Sequence, residues 1–328
     1  MFDVITIGSA TKDLFLKTKS SKVLEEKRSH HDFICFEYGG KIDVEDIFVQ
    51  TGGAATNVAV SFARLGLKVA ALTKVGVDEA GFLVESVLKK EKVNTSLLLK
   101  GKDFATATSV VLTSAAGERT IFTYRGASSH ISRRELNFKT LKAKCFYFSS
   151  LSDESLRIIP LLLAHAKKVN AVVAMNPGAA QLEGRKNLLN HLKLVDVFIL
   201  NKEEFERVIG RSLKSDLEFL KAFEFLESLG VRVVAVTDGA EKIRVYANKR
   251  VFVVKPFDVK KVNTLGAGDA FASAFVFGLI EGLAFEEAIK YGCLNASSVI
   301  QHLGAKVGLL KKEQFKRYER SLKELVIK

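Results

Sequence analysis

Apolar strand-like runs alternate with helical segments along most of this chain, and that alternation limits the fold more than any other feature. Val69–Lys74 leads to a helix at Glu79–Lys90, Cys145–Ser149 to one at Asp153–Lys168, and Val195–Leu200 to one at Lys202–Ile209. Ala171–Met175 enters a turn at Asn176-Pro177-Gly178, and Val231–Val236 follows a helix at Leu217–Leu229. Strands separated by helices predict a mostly parallel sheet covered on both faces, a three-layer α/β/α sandwich. Two regions depart from the pattern. Asp32–Gln50 and Thr106–Tyr124 read as strands and turns with no helix between them. Ser109–Thr113 and Arg119–Tyr124, joined by a turn at Gly117, have the form of a hairpin. Hydrophobic residues make up 48% of the 328, enough for a large core, and no low-complexity run or Gly/Ser linker divides the sequence. Residues 1–328 therefore read as one domain.

The chemistry is concentrated in Val262-Asn263-Thr264-Leu265-Gly266-Ala267-Gly268-Asp269-Ala270-Phe271. Gly266, Ala267 and Gly268 are small residues ahead of an apolar helix expected over Ala270–Leu283. Helix N-termini hold anions, because their first N–H groups lack intrahelical partners and the helix dipole adds positive charge. Glycines let the backbone approach a ligand closely. Asp269 follows at once. An anion hole beside one carboxylate suits phosphoryl transfer to an alcohol: the N–H groups hold the migrating phosphoryl and the aspartate accepts the hydroxyl proton. An aspartate capping a buried helix has the same sequence, so this run alone leaves both readings open.

A second run, Gly52-Gly53-Ala54-Ala55-Thr56-Asn57-Val58-Ala59, opens a helix expected over Val58–Leu65 that ends at Gly66; the strand Lys68–Lys74 then ends at Gly76. Asn57 offers both a donor and an acceptor. Together the two runs resemble the two signatures of the ribokinase family, also called the PfkB carbohydrate kinases. Gly52, Gly53, Asn57, Gly66 and Gly76 keep the spacing of the first signature, and Asn263 through Val276 match the second. The resemblance reaches from the first strand to the last helices. It implies a ribokinase-like fold with a small β-sheet lid over a sugar site. The lid strands would be inserted at about 13–50 and 104–125. Such lids are often shared across a homodimer, and an exposed lid sheet favours dimerisation because its edge needs covering.

The same resemblance implies ATP as phosphoryl donor with Mg²⁺, Asp269 as general base, and Gly266, Ala267 and Gly268 as the anion hole. It assigns Asp13, Gly52, Gly53 and Asn57 to the sugar. A carboxylate such as Asp13 can accept two hydroxyl donors, each charged bond being worth roughly 1.5–3 kcal/mol. Asn201 and Glu204, in Asn201-Lys202-Glu203-Glu204, match an Asn-x-x-Glu motif that organises Mg²⁺ through water; acids also favour a helix's first turn, so a plain helix start is the other reading. Thr237 and Gly239 match a Thr-x-Gly nucleotide loop, with Lys242 where a second glycine is usual. Asn295 and Gly304-Ala305 resemble the helix and loop over the adenine. The ATP-binding set is thus Asn201, Thr237, Gly239, Gly268 and Asn295. Two departures carry consequences. Asn263 stands where relatives that use a monovalent cation have Asp, so K⁺ activation is expected to be weak or absent. Asn176-Pro177-Gly178 stands where many relatives have an aspartate.

Fold and catalytic run do not choose between a sugar kinase and a nucleoside kinase. Phe15, Phe36 and Tyr124 are aromatics available to stack on a base. A non-catalytic binding protein would have lost Asp269 or its glycines, and neither is lost. A dinucleotide-dependent oxidoreductase needs G-x-G-x-x-G after the first strand, where only Gly8 follows Ile7. Fifty basic against 37 acidic residues give a net charge of +13. The lysines are mixed with acids, as in Lys311–Arg320, where Phe315, Tyr318, Leu322 and Leu325 recur at helical spacing. That pattern is the solvated face of a docked helix rather than a nucleic-acid surface, and positive potential favours anionic ligands such as ATP. Met1–Gly8 reads as a buried strand and not a signal peptide, and no apolar stretch reaches the length of a membrane span. The three cysteines form neither a zinc spacing nor a disulfide framework, and Cys145 and Cys293 have core surroundings. Together these point to the cytoplasm.

Overall fold

The computed structural model describes residues 1–17, 22–26, 31–113 and 119–317. In chain order the strands are β1 (Phe2–Ile7), β2 (Thr11–Lys17), β3 (Lys22–Glu26), β4 (His31–Cys35), β5 (Asp46–Gly52), β6 (Val69–Gly76), β7 (Leu98–Gly101) and β8 (Ala107–Thr113). Then come β9 (Arg119–Tyr124), β10 (Ala143–Phe148), β11 (Val172–Met175), β12 (Val197–Asn201), β13 (Val233–Asp238), β14 (Lys242–Ala247) and β15 (Arg250–Val254). The α-helices are α1 (Ala54–Arg64), α2 (Glu79–Lys90), α3 (Ile159–Lys168), α4 (Ala179–Glu183), α5 (Arg185–His191), α6 (Lys202–Ile209), α7 (Asp216–Ser228), α8 (Ala267–Ile280), α9 (Phe285–Val299) and α10 (Lys312–Arg317).

Nine strands form one sheet in the order β15-β14-β13-β12-β11-β10-β1-β6-β7. The pairs from β13 through β1 to β7 are all parallel, and β14 and β15 add an antiparallel edge. Strands buried on both faces read as continuous apolar runs, which is why the interior strands were legible. One face packs against α1, α2, α8 and α9 through residues such as Phe62, Leu88, Phe275 and Ile289. The other packs against α3, α5, α6 and α7 through Leu162, Leu188, Phe205 and Phe223. This is the expected three-layer sandwich. Strand order reverses at β1, with β6 on one side and β10 on the other, and in open α/β sheets such a point leaves a crevice at the carboxyl ends of the strands.

Three boundaries differ from the sequence reading, each for a local reason. The helix expected over Asp153–Lys168 divides into a 3₁₀ turn at Asp153–Ile158 and α3 from Ile159. Pro160 has no N–H to donate and is tolerated only in a helix's first turn. Helices α1 and α8 begin at Ala54 and Ala267, earlier than Val58 and Ala270. In both, a glycine with positive φ serves as N-cap, Gly53 at 89° and Gly266 at 81°, so the helix starts directly behind its loop. The shift brings Asn57 and Asp269 close to helix N-termini.

A second sheet, in the order β5-β2-β8-β9, is built from the two regions that broke the alternation. Its register aligns Gln50, Asp13, Ser109 and Thr123 across the four strands. The neighbouring row, on the opposite face, is Val49, Leu14, Val110 and Phe122. β3 and β4 pair only with each other. The hairpin strands β8 and β9 form as expected, while the turn assigned to Gly117 lies outside the described residues. Phe315 of α10 is buried against Tyr291, and Tyr318, Leu322 and Leu325 also lie outside the described residues. Cys145 and Cys293 are fully buried. Among the described residues no helix is long and apolar enough to cross a membrane.

Candidate active site

The loop Asn263–Gly266 feeds α8 through a tight joint. Asn263 is buried, its Oδ1 accepts the Leu265 N–H at 2.9 Å, and its own N–H donates to Ile300 O. Gly266 takes positive φ, and a Cβ on it would lie 2.5 Å from that of Ala305. Only glycine meets both demands. The Ala267 N–H donates back to Thr264 O at 3.3 Å, and the first-turn residues Gly268 and Asp269 present their N–H groups at the helix start, where intrahelical acceptors are lacking.

Asp269 is held from the other signature. Asn57 Nδ2 donates to Asp269 Oδ2 at 2.9 Å. The amide can be oriented only one way, because Lys306 Nζ donates to Asn57 Oδ1 at 2.6 Å and to Thr51 O at 2.6 Å. Burial pushes the Asp269 carboxyl up to about 6, against the lowering effects of the Asn57 bond and the Lys306 charge. Burial likewise brings the buried Lys306 ammonium down to about 8, opposed by Asp13 and Asp269. Asp13 is buried on β2, with Oδ1 accepting the Thr11 hydroxyl at 2.7 Å; burial raises its carboxyl, and the Thr11 bond and Lys306 lower it. Gly52 and Gly53 are small for steric reasons: a Cβ on Gly52 would meet Asp13 Oδ2 at 1.8 Å, and one on Gly53 would meet Ser9 O at 2.5 Å. These glycines let α1 pack against the loop after β1, and Ala55 N–H donates to Ser9 O.

Three cavities adjoin around the start of α8, the first two lined by Asp269. The first, of about 280 Å³, lies under the small sheet and is lined by Asp13, Gly53, Asn57, Ser109, Arg125 and Asp269 among others. The second, of about 550 Å³, shares Gly266 and Asp269 with it and adds Asn176, Asn201, Glu204, Thr237 and Gly268. The third, of about 330 Å³, shares Thr237 and Gly268 with the second and runs between the β13–β14 turn and α9. The three cavities adjoin, and the Asp269 carboxylate lines both the first and the second.

The residues expected at the nucleotide fall into two groups. Asn201, Glu204, Thr237, Gly239 and Gly268 all line the second or third cavity. Asn201 caps α6: its Oδ1 accepts the Glu204 N–H at 2.9 Å, and Glu204 Oε2 accepts the Asn201 N–H at 2.9 Å. The helix-start reading is therefore physically present, and it leaves the half-buried Glu204 carboxylate on the cavity wall, its acidity reduced mainly by burial. Asn295 does not belong to this group. It is fully buried, Nδ2 donates to Ala270 O at 2.9 Å and to Ser61 Oγ at 3.2 Å, and Oδ1 accepts the Leu310 N–H at 2.9 Å. Its polar atoms tie α9 to α8 and α1, so the assignment to ATP is corrected. The helix turns a different stripe to the cavity: Cys293, Ala296, Ser297 and Ile300, spaced i, i+3, i+4 and i+7. Lys242, where a glycine was expected, begins β14 and is exposed. Asn176 Nδ2 donates to Ile199 O at 2.8 Å while lining the second cavity. Lys306 and Arg125 were missed. Lys306 stands directly after Gly304-Ala305 in a run of ordinary composition, and nothing local marks a lysine that will be buried 249 positions from its partner Asn57.

A family model described as pfkB family carbohydrate kinase matches residues 3–312. A ribokinase of Haemophilus influenzae is 28% identical over 257 residues, 77% of this chain and 82% of that protein. A 5-dehydro-2-deoxygluconokinase of Clostridium tetani is 26% identical over an alignment covering 98% of this chain and 94% of its own. Among solved structures, Arabidopsis thaliana ribokinase complexed with ribose and ATP superimposes with a TM-score of 0.80 at 20% identity, covering 96% of this chain and 98% of that one.

Proposed function

This chain belongs to the pfkB family of carbohydrate kinases, and from that premise we propose that it transfers the γ-phosphoryl group of ATP to a hydroxymethyl group of a small sugar. The observation that carries the reading is Asp269 at the junction of the acceptor and phosphate cavities, in the first turn of α8. The sugar lies in the 280 Å³ cavity with hydroxyls on Asp13 and Asn57. Its hydroxymethyl O–H donates to Asp269, which is largely ionised at neutral pH and takes the proton as the oxygen attacks the γ-phosphorus. The bond to the β–γ bridging oxygen breaks and ADP leaves with that electron pair. Main-chain N–H groups at Gly266–Gly268 stabilise the charge on the transferring oxygens. The base and ribose of ATP lie in the third cavity, beside Thr237 and Gly239.

The donor set of the second cavity fits Mg²⁺. A hard cation that keeps several waters needs few protein oxygens, and Glu204 supplies one carboxylate beside the capping Asn201. Among the described residues there is no cluster of three or more metal-ligating side chains, so the ion would arrive with the nucleotide and neutralise phosphate charge. A sugar is favoured over a nucleoside by the walls of the acceptor cavity. Their described residues are hydroxyls, carboxylates, an amide, one guanidinium and small or aliphatic side chains, with no aromatic ring to stack on a base. Of the aromatics that could have done so, Phe15 is buried, and Phe36 and Tyr124 are exposed outside that wall. The apolar row Val49, Leu14, Val110 and Phe122 on the outer face of the small sheet supports a homodimer formed through it. The test is ADP release from ATP and Mg²⁺ with ribose, fructose, 2-keto-3-deoxygluconate, adenosine, inosine and cytidine. Turnover with a sugar and none with the nucleosides is expected; turnover with a nucleoside alone would overturn the sugar assignment.

A further inference from the structure

Arg125 lines the acceptor cavity, and none of the chemistry above uses it. Its place is fixed by the backbone. Ile121 and Thr123 alternate along β9, Arg125 follows directly after its end at Tyr124, and all three line the cavity. The next residue, Gly126, has a φ of 50°, and a Cβ there would lie 2.4 Å from Ala105 O and 2.7 Å from Ala107 N. Ala127 N–H donates to Ala105 O, and the Ser128 hydroxyl donates to Arg125 O. The chain around Arg125 is thus pinned against the start of β8.

The guanidinium is not there to balance the acids of the site. Lys306 is the cation whose charge acts on both Asp13 and Asp269, and Arg125 acts on neither. Among the described residues Arg125 has no carboxylate at ion-pair distance, and it lines neither the phosphate cavity nor the base cavity. The acceptor cavity therefore has two poles. At one stand Asp269, Asn57 and Asp13, with Ser109 beside Asp13; apart from them stands the exposed guanidinium of Arg125, with Thr123 and Ser128 close by along the chain and no ion pair among the described residues. A neutral sugar offers that cation only neutral acceptors in exchange for its water. A carboxylate or phosphate offers charge-assisted bonds, roughly twice as strong, in the forked geometry that guanidinium matches.

We propose that the acceptor is an anionic sugar, bearing a carboxylate or phosphate at the end remote from the phosphorylated hydroxymethyl, and that Arg125 selects it by binding that anion. The proposal rests on the reading of this cavity as the acceptor site of a kinase. The experiment pairs calorimetric binding without nucleotide with ADP release in ATP and Mg²⁺, on the wild type, Arg125→Gln and Arg125→Lys. Probes are 2-keto-3-deoxygluconate for the carboxylate, fructose 6-phosphate for the phosphate, and ribose and fructose as neutral sugars. One anionic probe is expected to bind at least about 30-fold tighter than either neutral sugar, the size of one or two charge-assisted hydrogen bonds. Which anion it is identifies the source. Arg125→Gln is expected to remove that advantage, Arg125→Lys to restore part of it, and KM for ATP to stay within about twofold of wild type, as for a residue outside the nucleotide cavities. Neutral sugars binding as tightly as anionic ones, or Arg125→Gln weakening both alike, would overturn the proposal. Anion-selective, Arg125-dependent binding without ADP release would keep it and remove the kinase reading. Neutral-sugar turnover undiminished in Arg125→Gln, without any anionic preference, would do the reverse.

Discussion

At the scale of single residues, half-buried Asp269 and buried Lys306 each support the other's charged form against burial, and their titrations are expected to bound the site's pH range. Asp269 binds its proton more tightly in the native state, up to about 6 from the ordinary 3.8, because burial penalises the carboxylate. The folded chain therefore holds more protons than the unfolded one between those values, and stability falls as pH rises through that window. Above it the cost of the buried charge is fully present. Asp269→Asn removes that cost and keeps an oxygen for the Asn57 Nδ2 bond. The variant should melt no lower than wild type at pH 7, while kcat drops by roughly 10²–10⁴, the scale of a lost general base. Circular dichroism and steady-state rates check both; a turnover within threefold of wild type would remove Asp269 from the base role. In the wild type, kcat/KM should fall tenfold per pH unit below about 6. Lys306 sets the other limb. Its ammonium is pushed down to about 8, so loss of its proton above that pH frees the Asn57 amide to turn. Lys306→Met should lower kcat/KM by about tenfold, the worth of one net hydrogen bond, and erase the basic limb. A basic limb that persists in Lys306→Met would show that another group titrates there.

At the scale of elements, the candidate site is concentrated at helix starts. α1, α6 and α8 each bring their N-terminus to the carboxyl end of the sheet, where Asn57, Glu204 and Asp269 line the adjoining cavities. A cap and a ligand site can be one structure, which is why the sequence allowed two readings of Asn201–Glu204. A substitution can separate them. Glu204→Gln keeps an oxygen to accept the Asn201 N–H, as capping boxes do with either residue, but removes the charge. The expected result is an unchanged melting temperature with a several-fold higher Mg²⁺ requirement at half-maximal rate, read by titration. Asn201→Ala should instead destabilise the fold by about 0.5–2 kcal/mol, the usual cost of a lost N-cap. An unchanged Mg²⁺ titration in Glu204→Gln would leave the carboxylate a capping role alone.

At the scale of the whole molecule, the small sheet has one face on the acceptor cavity and an apolar row on the other, with Val49 and Phe122 substantially exposed. A second copy would cover that row. Sedimentation of the wild type is expected to give a dimer and that of Val49→Asp/Phe122→Asp a monomer with raised acceptor KM; a wild-type monomer at micromolar concentration would remove the dimer. The same scale separates what was legible from what was not. The alternating runs fixed the layers, because strands buried on both faces must be apolar throughout and need helices to cover them. The two glycine runs marked the joint where α1 and α8 start, since close backbone approach allows only small residues, as Gly52 and Gly266 demonstrate. Asn295 was misread because a buried amide looks the same in sequence whether it faces a ligand or, as here, ties three helices together. Lys306 and Arg125 were invisible because their meaning lies in partners far along the chain: Asn57 and Thr51 for the one, a cavity wall assembled from two sheets and α8 for the other. Local patterning records burial and backbone geometry, which are properties of neighbouring residues. Charge complementarity inside a cavity is a property of the folded arrangement, and only tertiary structure could decide it.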